Sequence, residues 1–250
     1  MKIYTFIKNN WIFYLTGFLA LFGMKYFYSR ATVNSFTWIL APTVWWVQTL
    51  SGIPFHFVPY EGYVNHTHQF VIALSCSGLQ FMIITIATLL FPFVHQMNTN
   101  RKKLFWMAST FTASYILTIV VNAIRILLSI YLPGIMARHV QQKSLPGSFL
   151  TPARLHTLIG IFVYFTSLFI IYHLAGIITR HSFHKYLPPV LFYLALVLGV
   201  PFLNGALQNS KSQFPEYALL VLAVCLTVMS FCRLIRILMK ILLRNIKKLL

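Results

Sequence analysis

Runs of about 18 or more apolar residues recur along the chain, separated by short polar or basic stretches. Each run can cross roughly 30 Å of hydrocarbon as a helix, which satisfies its own backbone polar groups in lipid. The pattern places spans at 11–28, 36–53, 79–97, 104–132, 155–179, 186–204 and 214–235. It predicts an all-α polytopic membrane protein of about seven transmembrane helices, a single domain over residues 1–250. The second run is interrupted by Pro42, and its Trp38, Trp45 and Trp46 suit an interface as well as a core. The stretch from Pro54 to Ser75 departs from the pattern. It holds Pro54, Pro59, Gly62, Asn65, His56, His66 and His68, then a short apolar run from Phe70 to Leu74. This predicts a short extracytoplasmic loop leading into one or two strands before the third helix.

Composition agrees with a lipid-facing chain. Hydrophobic residues make up 58% and charged residues 9%, against about a quarter charged in soluble domains. The net charge of +18 arises because Asp is absent and the acids are Glu61 and Glu216 alone. The basic residues mostly sit between apolar runs, where they orient helices and meet anionic headgroups, so nucleic-acid binding is not expected. Arg101, Lys102 and Lys103 form one cluster, Arg180 and Lys185 another, and the tail from Arg233 a third of six. Placing these in the cytoplasm leaves Arg138, Lys143, Arg154 and Lys211 outside, eleven basic residues against four. Lys2 and Lys8 balance Lys25 and Arg30, so the N-terminal orientation stays open. The first run lacks a small-x-small cleavage site and reads as a retained span. In the tail, residues 233–250, basic side chains recur three or four apart among Leu and Ile. This predicts an amphipathic helix on anionic lipid, or a solvated helix end that sets topology.

Cys76, Cys225 and Cys232 make no disulfide framework, and no Cys/His spacing suits a metal, so neither metal nor cofactor is expected. Cys225 and Cys232, seven apart in an apolar span, read as packing residues. Cys76, in Ser75-Cys76-Ser77-Gly78, instead precedes a helix, where free N–H groups and the dipole favour a thiolate. Arg125 lies in the span 104–132, where a guanidinium costs about 3 kcal/mol or more unless it finds a partner or a polar cavity. Neither acid is near in sequence to that depth, and Pro133 is close enough for Arg125 to snorkel to the interface. Asn122 lies three residues earlier, on the same helical face. His156 begins the span 155–179, with Gly160 one turn later on its face. The predicted topology brings Cys76, Arg125 and His156 to one depth on the outer side. A transporter is the alternative, with Arg125 in a polar cavity and broken helices at Pro42 or Pro188-Pro189.

Ser75-Cys76-Ser77-Gly78-Leu79, Asn122 to Arg125, and His156 with Gly160 resemble the three signature blocks of the exosortase/archaeosortase family. Leu40-Ala41-Pro42 fits the segment that precedes them. The resemblance covers roughly residues 36–180 and is nearest to the exosortase K subgroup. It implies a membrane-embedded cysteine transpeptidase of the bacterial cytoplasmic membrane, with Cys76 as nucleophile, Arg125 as oxyanion and thiolate stabiliser, and His156 as general acid/base. Asn122, Gly78 and Gly160 would support them. The implied partner is a membrane-anchored protein whose C-terminal sorting signal has a transmembrane helix and a basic cluster.

Overall fold

The computed structural model describes residues 2–67, 70–140, 152–179, 187–206 and 213–249. Helix α1 spans Lys2–Arg30 and α2 Thr37–Ser51. Strands β1 (His56–Val58), β2 (Gly62–Asn65) and β3 (Phe70–Ile72) follow. Then come α3 (Leu79–Leu90), α4 (Asn100–Val140) and α5 (Pro152–Thr179). The short α6 (Leu187–Leu194) passes through a π-helical segment, Ala195–Gly199, into α7 (Val200–Leu203). Helix α8 (Gln213–Leu249) ends the described chain.

Helix α3 is the axis of the bundle. Its sequence LQFMIITIATLL is apolar on every side, and every residue except Gln80 is buried, as expected of a helix surrounded by others. One face, with Leu79, Met82, Ile83 and Ile86, packs into a core shared with α1, α2 and α4. The other, with Phe81, Ile84 and Leu89, packs into a second core shared with α5, α6 and α8. Carbonyls left over at its C-terminal end find side-chain donors: Trp106 Nε1 reaches Leu89 O at 3.0 Å, and Tyr14 Oη reaches Phe91 O at 3.2 Å. Large apolar side chains such as Phe18, Phe105, Ile178 and Leu203 cover the outside, a surface suited to lipid rather than water.

Among the described residues, four segments are long and apolar enough to cross a membrane: Leu74–Gln96, Asn100–Ile135, Arg154–Thr179 and Gln213–Leu234. The protein is an all-α polytopic membrane protein. Helix α1 forms where the first span is expected, but its tyrosines, Trp11 and Lys25 dilute its apolarity. Helix α2 has 15 residues, too few for the full hydrocarbon thickness. The run expected at 186–204 is a shorter apolar helix, Leu187–Leu203.

Local corrections have physical causes. Helix α2 continues through Pro42, which lacks the N–H that would bond Trp38 O. Tyr115 Oη on α4 donates to that carbonyl instead, at 2.8 Å. Helix α4 likewise runs through Pro133 to Val140 instead of ending at 132. Pro188 and Pro189 lie at the start of the described part of α6, where a missing N–H is tolerated. The expected one or two strands are three, an antiparallel sheet in the order β1-β2-β3. Tyr63 and Val64 of β2 pair with Phe57 and His56 on one side and Ile72 and Val71 on the other. Lys103, expected in a basic cluster between two spans, is 6% exposed. Its Nζ donates to Asn9 O at 3.0 Å and lies 5.5 Å from the Phe13 ring centre, tying α4 to α1. In the tail, α8 stays helical to Leu249, while the lipid-facing arrangement of its basic side chains after Arg233 lies outside the described residues.

Candidate active site

The chain leaves β3 at Ile72 and reaches α3 through one tight turn. Cys76 sits in that turn, a 3-10 segment spanning Leu74–Cys76, with its N–H on Ala73 O at 2.9 Å. Gly78 then reverses the backbone at φ 72°, immediately before α3. Two needs converge on this glycine. A left-handed φ is costly for residues with a Cβ, and a Cβ here would lie 3.0 Å from both Asn122 Cγ and Thr118 Cγ2. Its absence lets α4 approach closely enough for Asn122 Nδ2 to donate to Cys76 O at 2.5 Å. Gly78→Ala is therefore expected to destabilise the protein by about 1–2 kcal/mol from the backbone alone. The steric conflict with Asn122 adds to this. Thermal melts in detergent check it, and an unchanged melting temperature would contradict this account of the turn.

Arg125 is 8% exposed, so it turns inward and does not snorkel. Its Nη1 donates to Tyr164 Oη at 3.3 Å and lies 3.5 Å from Asn122 Oδ1. Its Nη2 lies 3.4 Å from His156 Nε2. The guanidinium also sits over the Tyr164 ring, 5.4 Å from its centre, and close enough to the Cys76 side chain to interact electrostatically. A guanidinium only donates; the His156 contact thus requires an unprotonated Nε2, the state a base needs. No carboxylate joins Arg125 among the described residues. Glu216 instead pairs with Arg154 at 2.6 Å, linking α8 to α5, and Glu61 lies in the turn between β1 and β2.

Gly160 brings α5 against the guanidinium. A Cβ there would meet Arg125 Nε at 3.2 Å, tighter than ordinary van der Waals contact. That Nε is buried and has no hydrogen-bond partner among the described residues. The charge of Arg125 thus rests on neutral groups and on open space beside it.

This space is a cavity of about 190 Å³, lined by Ser75, Ser77, Gly78, Arg125, His156 and Gly160, among others. Cys76, whose two serine neighbours line the cavity, is itself 6% exposed. Tyrosines reach the cavity from other elements: Tyr28 from α1, Tyr193 from α6 and Tyr217 from α8. The structure thus joins Cys76, Asn122, Arg125 and His156 in one network and sets Gly78 and Gly160 at its closest approaches. Cys225 is buried in the core around Tyr193, and Cys232 packs at its edge. His95 bonds the Tyr14 hydroxyl at 3.2 Å, remote from this site. Among the described residues no group of three or more His, Cys, Asp and Glu side chains could hold a metal ion.

Sequence reasoning missed Tyr164, although the signal was present. His156, Gly160 and Tyr164 are spaced four apart, so the face bearing the first two carries the third one turn on. Tyr28 carries no such signal, since it comes from a separate helix before the sheet.

A cysteine in a turn, an arginine resting on neutral groups and an unprotonated imidazole nitrogen can together support acyl transfer through a thioester. Neither the comparison with curated proteins nor that with solved structures gives a match. The family model described as transmembrane exosortase (Exosortase_EpsH) matches residues 6–173, more than half of the chain, including every residue of the network. The chain therefore belongs to the transmembrane exosortase family, whose general activity is that of a membrane transpeptidase.

Proposed function

We propose that the protein cleaves the C-terminal sorting signal of exported proteins at the outer face of the bacterial cytoplasmic membrane and transfers them to an acceptor through a thioester on Cys76. The observation that carries this reading is the meeting of Cys76, Arg125 and His156 beside one cavity, linked by Asn122. The substrate is a membrane-anchored protein with a short motif, one transmembrane helix and a basic cluster. Anionic lipid receives the basic tail of α8.

The Cys76 thiol gives its proton to His156, and the sulfur attacks the scissile carbonyl, forming a C–S bond. Arg125 stabilises the oxyanion, its charge weakly screened in a poorly hydrated site. His156 returns the proton to the leaving amine as the C–N bond breaks. The acceptor amine or hydroxyl, or water, then gives a proton to His156 and attacks the thioester. The C–S bond breaks, and the proton on His156 returns to the sulfur. The experiment is to trap a thioester adduct on Cys76 with a tagged substrate and to identify it by mass spectrometry. No adduct under conditions where the substrate is cleaved would overturn the proposal.

The reading requires an extracytoplasmic site. Single cysteines placed at 138 and 211, and Cys76 itself, are expected to react with an impermeant thiol label from outside intact cells. Cysteines at 101, 180 and 250 should react only after permeabilisation. A cytoplasmic Cys76 would exclude processing of exported chains.

A further inference from the structure

The hydroxyl of Tyr164 bridges two groups whose donor and acceptor roles are fixed. A guanidinium only donates, and the amide oxygen of Asn122 only accepts. The hydroxyl lies 3.3 Å from Arg125 Nη1 and 2.7 Å from Asn122 Oδ1. It must therefore accept from the first and donate to the second. Arg125 Nη1 also lies 3.5 Å from the same Oδ1. Both donors hold the Asn122 amide one way round, with Nδ2 on the Cys76 carbonyl at 2.5 Å.

The ring does not need its hydroxyl for packing. It stacks on Phe81 with centres 4.8 Å apart and an interplanar angle of 17°, an arrangement open to phenylalanine as well. The hydroxyl serves the two polar groups. It joins α5 to the Asn122–Arg125 face of α4, and through Asn122 to the turn that carries Cys76.

We propose that Tyr164 is a positioning residue: its hydroxyl holds Asn122 and Arg125 in register, so that the nucleophile's turn and the guanidinium keep a fixed separation. The proposal rests on the roles given above to Cys76 and Arg125, but it can be tested apart from them. Without the hydroxyl, Arg125 Nη1 keeps only the longer contact to Asn122. The guanidinium is then free to drift from the sulfur whose negative charge it favours.

The test uses full-length protein carrying Cys225→Ala and Cys232→Ala, so that Cys76 is the one remaining thiol. Adding Tyr164→Phe is expected to leave insertion intact and to lower the melting temperature modestly, since a buried donor and acceptor each lose a partner. Alkylation of Cys76 by iodoacetamide at one fixed pH should slow several-fold. In turnover, kcat should fall roughly tenfold to a hundredfold, as for a small misplacement of reacting groups, with KM within about twofold. Phe81→Leu is the control: it removes the stack and keeps the hydroxyl, so it should lower the melting temperature and leave kcat per folded molecule close to the parent. Parental kcat and alkylation rate in Tyr164→Phe would overturn the assignment. So would an equal loss of kcat in Phe81→Leu, which would show that any disturbance of packing around the ring lowers kcat and that the hydroxyl has no special part. If the parent shows no turnover dependent on Cys76, the transpeptidase reading falls, and the alkylation comparison alone decides the role of Tyr164.

Discussion

Cys76→Ala and Cys76→Ser are expected to abolish processing while leaving the protein in the membrane. The thiol occupies a turn fixed by Ala73 O and Asn122 Nδ2, with the Arg125 guanidinium near it. A serine hydroxyl in the same place ionises far less readily and is a much weaker nucleophile. Cys225 and Cys232 stand in a different environment, on α8 within the second core and its edge. Cys225→Ala and Cys232→Ala should each cost packing alone, on the order of 1 kcal/mol, with turnover retained. Conversion of a tagged substrate, measured beside the amount of protein in the membrane fraction, separates the cases. A dead double variant at 225 and 232 with an active Cys76→Ala would put the nucleophile on α8.

Arg125→Lys should be nearly as damaging, although it preserves the charge. The guanidinium spreads its donors over Tyr164 and Asn122 on one arm and His156 on the other. One ammonium cannot make that fork. The loss should reach on the order of a hundredfold in turnover, as for removal of an oxyanion donor. His156→Ala should be comparably inactive. Combining the two should add little, because residues that act as a unit do not contribute independently. Arg138→Lys, beyond Pro133 on the same helix, should be nearly silent. The measurement is conversion of tagged substrate by purified protein in detergent or lipid. Near-normal turnover by Arg125→Lys would restrict the catalytic reading to Cys76 and His156.

Much of this site was legible because local spacing encodes it. Asn122 and Arg125 share a helical face at three residues' separation, as do His156 and Gly160 at four, and an intramembrane arginine draws notice by its desolvation cost. Tyr164 escaped because a tyrosine in an apolar span looks like core until its hydroxyl is seen between Asn122 and Arg125. The burial of Lys103 went unforeseen for a related reason. A basic residue between apolar runs normally stays in water, and the Asn9 carbonyl that buries it lies 94 residues away. Pro42 was read as a break because sequence shows the lost N–H but not Tyr115, which satisfies the freed carbonyl. What sequence conceals in each case is a partner supplied by another helix.

A cation that no carboxylate among the described residues answers would also sort the products of the proposed reaction by charge. If water takes the acyl group, the new chain end is a carboxylate, formed against the guanidinium and strongly held by it. If an amine or hydroxyl takes it, the product is a neutral amide or ester that the same charge retains weakly. In the proposed reaction, release would therefore be slower for a hydrolysed chain than for a ligated one. A chain end taken by water would thus occupy the site longer, while the choice between water and acceptor would be made earlier, when the thioester is attacked.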